Sequence, residues 1–437
     1  MGVFDPLLWR PKHGPGVVSD LSGRVVRKYD FPYWPNKLER IFPLADFAYA
    51  NYALWADEAN DGSLGRMLRP GEPPSRLIAV PKTQKGPRLI AAEPTSHQWC
   101  QQVVKDFLVS RVSKSVLSGA IDFFDQSLNQ RSALRASATS ESWTVDLSSA
   151  SDRLGCYVVE RIFRRNTSLL DALHACRTRW ITQSIDPTSP TFHRLKKFST
   201  MGSAVTFPVQ SIVFCIIAVS AVLYARHWPA SYSNIRAVAQ EVRVFGDDII
   251  IPKVGGLPLL GLLRYLGFQV NRSKTFRIGN FRESCGCDAF MGADVTPVYT
   301  LTYPARVRPE SVASTVDVHN NWYSAGYYRT SRWLKSETLR IRKGLAIPNV
   351  APGSGVFGWE THEPIDNSHL RKKWDADRQH LVHCVSLPLA KRTRVPHERF
   401  SALLQYYIEA PPPTTLWESG YSELRPSLRL GRRWVQI

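Results

Sequence analysis

Acidic residues are in short supply in this chain. Only 37 Asp and Glu stand against 56 Lys and Arg, a formal charge of +19 over 437 residues. A protein this basic meets a polyanion, with nucleic acid the first choice and an anionic membrane surface the competitor. Cysteine is sparse too: seven residues, an odd number that leaves no complete disulfide framework, and no Cys-x-x-Cys pair. Cys285-Gly-Cys287 is too close for the usual zinc spacing, and a reducing compartment fits best. Met1 to Arg10 holds too few apolar side chains for a signal peptide. No internal repeat and no low-complexity tract occurs. Long apolar runs are missing with one exception, Val209 to Ala225, which Pro208 opens and Arg226-His-Trp-Pro229 closes. It sits at the lower limit of the ~20 residues that span a bilayer. A lone central span would cut a basic chain in two, so the run reads as a helix buried on all sides. What the chain does have is 43% hydrophobic and 11% aromatic residues, which excludes disorder and suits two or three subdomains around a sizeable core.

The stretch Val242 to Pro252 organises the rest. Two β-branched runs flank Gly246-Asp247-Asp248, the pattern of a tight β-hairpin. Adjacent carboxylates on a turn repel each other and add nothing to a core. The pair is either a solvated turn or a site for a divalent cation, for which Mg²⁺ with its taste for carboxylate and phosphate oxygens is suited.

Upstream, 77–81 and 88–91 read as strands, with Lys82, Lys85 and Arg88 in and beside the loop between them. Such a loop is a solvated hairpin tip or a clamp for a triphosphate. An amphipathic helix follows over 97–115, and 131 onward reads as helical. Asp146 sits inside the apolar strand 143–147, where an unpaired carboxylate would be costly, so a partner or metal is expected. Asp152 follows a Ser-rich turn and is either part of a site or the N-cap of the next helix. The pattern over 169–181 predicts another helix, leaving Arg177 and Arg179 available for phosphate. Ser199, Thr200, Gly202, Ser203 and Thr206 make a loop of small hydroxylated residues before the apolar run. That loop holds a sugar or phosphate, or simply caps the helix. A helix over 257–266, a short strand 268–270 and a hairpin between Gly279 and Tyr299 come next. Residues 309–343 are helical, basic and aromatic, mixing a core stripe with a face suited to nucleic acid.

In order, the chain presents a cationic loop, a strand with an isolated Asp, a Gly and hydroxyl loop opening a buried helix, an Asp-Asp hairpin and a strand followed by Lys274. Carboxylates on adjacent strands can hold two metal ions ~4 Å apart for in-line phosphoryl transfer. Asp146-x5-Asp152, Gly202-x3-Thr206 and Gly246-Asp-Asp248 resemble motifs A, B and C of viral RNA-dependent RNA polymerases. Asp146-Leu-Ser-Ser-Ala-Ser-Asp152, Ser199-Thr-Met-Gly202, Asp125-Gln-Ser-Leu-Asn-Gln130, Phe281-Arg-Glu-Ser-Cys-Gly286 and Asp294-Val-Thr-Pro-Val-Tyr299 narrow the resemblance to the replicase subunit of single-stranded RNA bacteriophages, the levivirus group. It runs from about His13 through Tyr299 and loosens beyond Arg329.

The resemblance implies an α+β right-hand fold. Residues 1–142 would hold the N-terminal segment and fingers, with a triphosphate-binding loop at 80–93. Residues 143–300 would form the palm, an antiparallel sheet with helices on one face, with 155–198 shared with the fingers, and 301–437 a mostly helical thumb with a basic tail. It also implies site roles. Asp146, Asp247 and Asp248 would be catalytic metal ligands for two Mg²⁺ ions, with Mn²⁺ as substitute. Lys274 would protonate pyrophosphate. Lys82, Lys85 and Arg88 would bind the triphosphate, and Asp152, Ser199, Gly202, Thr206 and Gln210 would surround the nucleotide. Gln210 departs from the Asn or acid that many related enzymes carry there. Template-directed RNA synthesis without a primer, single-stranded RNA template and product, work in the cytoplasm of a bacterial host, and host elongation factors Tu and Ts with other translation proteins as partners follow from the same resemblance; the burial expected of Val209 to Ala225 argues for no membrane, with a membrane-anchored form as the alternative. A reverse transcriptase is the nearest rival, but Gly246 and the polar Asp152 replace the aromatic turn residue and bulky gate such enzymes carry. A non-catalytic RNA-binding protein would explain the charge and leave Asp146, Asp247 and Asp248 without a purpose.

Overall fold

The apolar run folds as one helix, Thr206–Ala225, here called the core helix. By length and composition it could cross a membrane, yet 83% of its most apolar window is buried inside the protein. Phe214 is fully enclosed, its ring 4.9 Å from that of Phe268. In this computed structural model the described residues are 1–14, 16–21, 28–62, 64–83, 86–198, 200–300, 303–306, 308–394, 401–409 and 421–437. They divide into two compact units, Met1–Thr296 with Val395–Gly420, and Pro297–Arg394 with Tyr421–Ile437.

In the first unit a three-stranded antiparallel sheet lies against the core helix, in the order Ser142–Val145, Asp248–Pro252, Arg243–Phe245. The central strand is apolar on both faces because both are covered. Ile249 and Ile251 enter the main core, while Ile250 packs with Ala133, Cys287 and Ala289 from helix Ser127–Thr139 and hairpin Phe281–Ser284/Cys287–Phe290. Helix Lys253–Tyr265 follows the central strand directly. A four-stranded sheet is built from the hairpin Ser75–Thr83/Gly86–Ala92, then Trp180–Thr182 and Phe192–Arg194. Helix Thr95–Ser113 buries Trp99, Val103, Phe107 and Leu108. The irregular N-terminal segment lies on it, with Phe4 5.1 Å from Phe107 and Phe31 5.4 Å from Trp99, ring to ring.

The helix expected over 169–181 stops at Cys176. Arg177 turns extended and donates to the carbonyls of Leu195, Lys197 and Phe198, and Trp180–Thr182 joins the sheet. Those backbone demands outweigh the helical periodicity. All seven cysteines are free thiols.

The second unit pairs helices Pro309–Ser324 and Tyr328–Ile341, which break at Gly326. Val312, Val316, Ile347 and Trp359 form its core. The region 301–437 was expected to be mostly helical. Instead it carries an antiparallel sheet in the order Lys372–Asp375, His380–Arg394, Tyr421–Val435. Val382 and Val385 are buried along the middle strand, whose apolar residues need a sheet partner rather than a helix face.

Candidate active site

Phe245 and Asp248 pair across a two-residue turn, Gly246-Asp247. Gly246 takes φ +65° and Asp247 does not take positive φ, the sign pattern of a type II′ turn with Gly first. The Gly246 N–H donates to Ser211 Oγ at 3.0 Å, and Ser211 Oγ donates to Phe207 O at 2.9 Å, so the core helix grips the turn. A Cβ at position 246 would lie 3.1 Å from the Phe207 ring.

Register brings the acids together. Ile249 faces Val145 on the neighbouring strand, so Asp248, the first residue of its strand, and Asp146, just past the end of the other, lie at the same end of the sheet. Asn271 Nδ2 donates to Asp146 Oδ2 at 2.7 Å, and the Asn271 N–H donates to Asp146 O at 2.9 Å. Burial raises the Asp146 carboxyl above its ordinary range; the Asn271 bond opposes the shift, and the charge of Asp247 adds to it. Asp248 is pushed up to about 7, first by burial and then by the charges of Asp247 and Asp146. Cys285 Sγ donates to Asp248 Oδ2 at 3.6 Å. That thiol sits in the turn of the 281–290 hairpin, at φ +50°, where a non-glycine residue is uncommon. Mutually repelling carboxylates with hard oxygen donors fit a divalent cation of the Mg²⁺ type. Among the described residues, no group of three or more His, Cys, Asp or Glu side chains is already placed to hold a metal ion.

Lys274 Nζ donates to Glu283 Oε1 at 2.6 Å, and this bond raises the Lys274 ammonium above its ordinary value. Asp152 lies inside the short helix Ala150–Arg153 and pairs with Lys197. The N-cap of the next helix, Cys156–Phe163, is Gly155, so Asp152 is not a cap. Gln210 is buried on the core helix and accepts from Ser151 Oγ at 2.9 Å, tying the Asp152 turn to the helix beside Gly246.

Gly202 has φ +149°, and a Cβ there would lie 1.7 Å from Ala91 O. Ala91 N donates to Met201 O at 2.7 Å, so the loop before the core helix lies against strand Gly86–Ala92. Thr206 Oγ1 donates inward to Thr200 O at 2.6 Å. Arg88 is exposed on the same strand. Lys85 and Ser199 lie outside the described residues, as does the side chain of Lys82. Arg179, which the sequence left available for phosphate, donates through Nε to Glu72 Oε2 at 2.7 Å, and Arg177 is held by backbone carbonyls.

Sequence reasoning missed a second layer: Asn271, Glu283, Cys285, Ser211, Lys197 and, furthest away, Glu93. Glu93 is 1% exposed, and its carboxylate accepts from Thr200 Oγ1 at 2.6 Å, from Gln101 Nε2 at 3.0 Å and from Thr178 Oγ1. Glu283 and Cys285 fall within the word Phe281–Gly286, where a signal existed. Glu93 offered none, because two of its three partners, Thr178 and Thr200, lie 85 and 107 residues away.

A family model described as RNA replicase, beta-chain, matches residues 27–312. The chain is 33% identical over 258 residues to the RNA-directed RNA polymerase subunit beta of Escherichia virus Qbeta, covering 57% of this chain and 38% of that one. It is 36% identical over 226 residues to the subunit of Enterobacteria phage SP, with 52% and 36% covered. It is 34% identical over 224 residues to the beta chain of Escherichia phage MS2, with 51% and 37% covered. The matched part thus spans well under half the length of these relatives. Among solved structures, it is similar to the RNA-dependent RNA polymerase of a human picorbirnavirus, at TM-score 0.41 and 13% identity over 62% of this chain and 56% of the other.

Proposed function

The chain belongs to the RNA replicase beta-chain family, and on that premise we propose that it is an RNA-directed RNA polymerase. It copies single-stranded RNA from ribonucleoside triphosphates, starts without a primer and works in the cytoplasm of a bacterial host. The observation that carries this reading is the gathering of Asp146, Asp247 and Asp248 at one end of a short antiparallel sheet, with Asp248 pushed up to about 7 by burial and then by the charges of Asp247 and Asp146.

Asp146, Asp247 and Asp248 would hold the divalent cations. When bound, Mg²⁺, or Mn²⁺ in its place, supplies Lewis acidity that lowers the pKa of the attacking 3′-hydroxyl and stabilises the leaving pyrophosphate. The side chains do the rest. Asn271 orients the Asp146 carboxylate. Lys274, kept protonated by Glu283, holds a proton for the leaving pyrophosphate. Lys82, Lys85 and Arg88 bind the triphosphate. Asp152 and Gln210, joined through Ser151, serve the ribose, and Ser199 and Gly202 are assigned to the same nucleotide. Thr206 acts through the loop before the core helix, since its hydroxyl is engaged by Thr200 O. In this reading the parts correspond to a right hand, with fingers over 1–142, palm over 143–300 and thumb over 301–437, and host elongation factors Tu and Ts are candidate partners.

The test is labelled ribonucleotide incorporation on a single-stranded RNA template with Mg²⁺, comparing the chain with Asp247→Asn. Incorporation falls by at least about a hundredfold in the variant. Equal incorporation by both proteins would remove the proposal, and a preference for deoxyribonucleotides would replace it with reverse transcription.

A further inference from the structure

The second unit contains a cavity of about 430 Å³ that the proposed chemistry does not use. Its wall is aromatic. The Tyr323 ring lies 4.9 Å from that of Tyr328 at 64° and 5.6 Å from that of His362 at 34°. The wall is fixed from behind: Tyr323 Oη accepts the His362 N–H at 3.0 Å, and the buried Trp359 packs edge-on to His319 at 4.9 Å. Asn320 accepts the Glu360 N–H at 3.0 Å and donates to Gly358 O at 3.0 Å, locking the next strand to the helix. Tyr328 is 49% exposed, so its ring is open to a flat ligand.

Around these rings stand groups of both charges. Lys335 Nζ donates to Asn349 Oδ1 at 2.5 Å and lies 6.0 Å from the Trp359 ring centre. Burial lowers its pKa, so an anion beside it would relieve a cost already present. Arg332 meets Glu363 at 3.5 Å, both side chains largely exposed. Glu360, Glu363 and Asp366 complete the lining.

Aromatic rings alone would accept any base. The carboxylates choose. An ionised carboxylate only accepts hydrogen bonds. Guanine alone presents two adjacent donors on one edge, N1–H and the N2 amino group, which match both oxygens of a carboxylate. Adenine and cytosine set an acceptor nitrogen beside their amino group, and uracil flanks its single N–H with two carbonyls; each would face the carboxylate with a lone pair. Arg332, once Glu363 turns from it to the base, and Lys335, which keeps donors beyond its bond to Asn349, can then meet a phosphate. We propose that this cavity of the second unit binds a guanine nucleotide, stacked on the Tyr323–Tyr328–His362 wall and read by Glu360 or Glu363. The nucleotide is either free or a guanosine residue within RNA.

The test uses the full chain in EDTA, with GMP, AMP, CMP and UMP measured by equilibrium dialysis. Two RNA pentamers follow, five adenosines with or without a central guanosine. GMP is expected to bind at least about tenfold tighter than the other three, and Tyr328→Ala to weaken it about tenfold. Glu360→Gln combined with Glu363→Gln removes the preference for guanine; thermal melts confirm that each variant is folded. Binding of GMP itself identifies a free nucleotide as sufficient, and binding of the guanosine pentamer without GMP assigns the site to RNA. Equal affinity for all four bases, no binding by any probe, or guanine binding that folded variants leave unchanged would overturn the proposal. Asp247→Asn keeps GMP binding while losing incorporation, so this inference and the polymerase reading fail separately.

Discussion

Asp248 is where folding and chemistry pull against each other. Its carboxyl keeps a proton up to about pH 7, against an ordinary value of 3.8, because burial and then the charges of Asp247 and Asp146 disfavour the ionised form. In the unfolded chain it ionises near pH 4. Between those values the metal-free folded state binds more protons than the unfolded state. Stability from this group is therefore present below about pH 4 and lost as pH rises to 7, on the order of 3 kcal/mol after allowing for partial exposure. Asp248→Asn removes the penalty. In EDTA at pH 8 the variant should melt several degrees above the parent, and at pH 4.5 most of that gap should have closed; a variant that melts lower at pH 8 would contradict the account. A divalent cation must displace the same proton, so apparent Mg²⁺ affinity should climb up to about tenfold per pH unit below 7 and flatten above it. Calorimetry in two buffers of different ionisation enthalpy reads that proton release directly.

The loop 200–205 is positioned by elements distant in sequence. Glu93, at the end of one sheet, ties it to helix Thr95–Ser113 through Gln101 and to the 177–179 strap through Thr178. Gln101 also accepts the Ala204 N–H at 3.1 Å. Gly202 meets the Ala91 carbonyl with no room for a methyl group. Gly202→Ala must push the loop off the strand, and should lower incorporation at least about tenfold with circular dichroism nearly unchanged. Glu93→Gln turns an acceptor toward its neighbours into a partial donor. It should cost about 2 kcal/mol in urea unfolding, because hydroxyl and amide donors lose a charged partner in a dry site. A loss below 0.5 kcal/mol would mean the hub is not structural. This second layer marks the limit of what the sequence discloses. The acid hairpin was legible because Gly246 and two β-branched runs specify it locally, and the core helix because its apolar run has no other stable fate. Asp146 was legible as a charge in an apolar stretch that reads as a strand over 143–147, although the strand itself ends at Val145 and Asp146 lies just past it. Glu93 and Glu72 were not, since a buried carboxylate reads like any surface acid until its partners arrive from remote segments. The ribbon His380–Arg394/Tyr421–Val435 was hidden likewise, because pairing across a long connection leaves no local period longer than the strands themselves.

At the scale of the whole molecule the dominant quantity is charge. A formal +19 over 437 residues opposes the compact state through self-repulsion and carries no benefit to folding. It makes sense when a polyanion supplies the opposite sign. Cations at exposed positions exchange condensed counterions for phosphates, and the entropy of the released ions drives binding. For single-stranded RNA with about five phosphate contacts, the slope of log K against log salt should be about −3.5, a loss of roughly a hundredfold between 50 and 200 mM. Filter binding of a non-specific RNA across that range measures it. Asp247→Asn should leave the slope unchanged, because it removes an acid from the turn and no phosphate partner. The aromatic cavity should behave differently. GMP brings a single phosphate, so its affinity should change less than about fivefold over the same range, with stacking carrying most of it. A salt slope for RNA near zero would mean that the basic surface answers to something other than a nucleic acid backbone. A steep slope for GMP would mean that the cavity reads charge rather than the base.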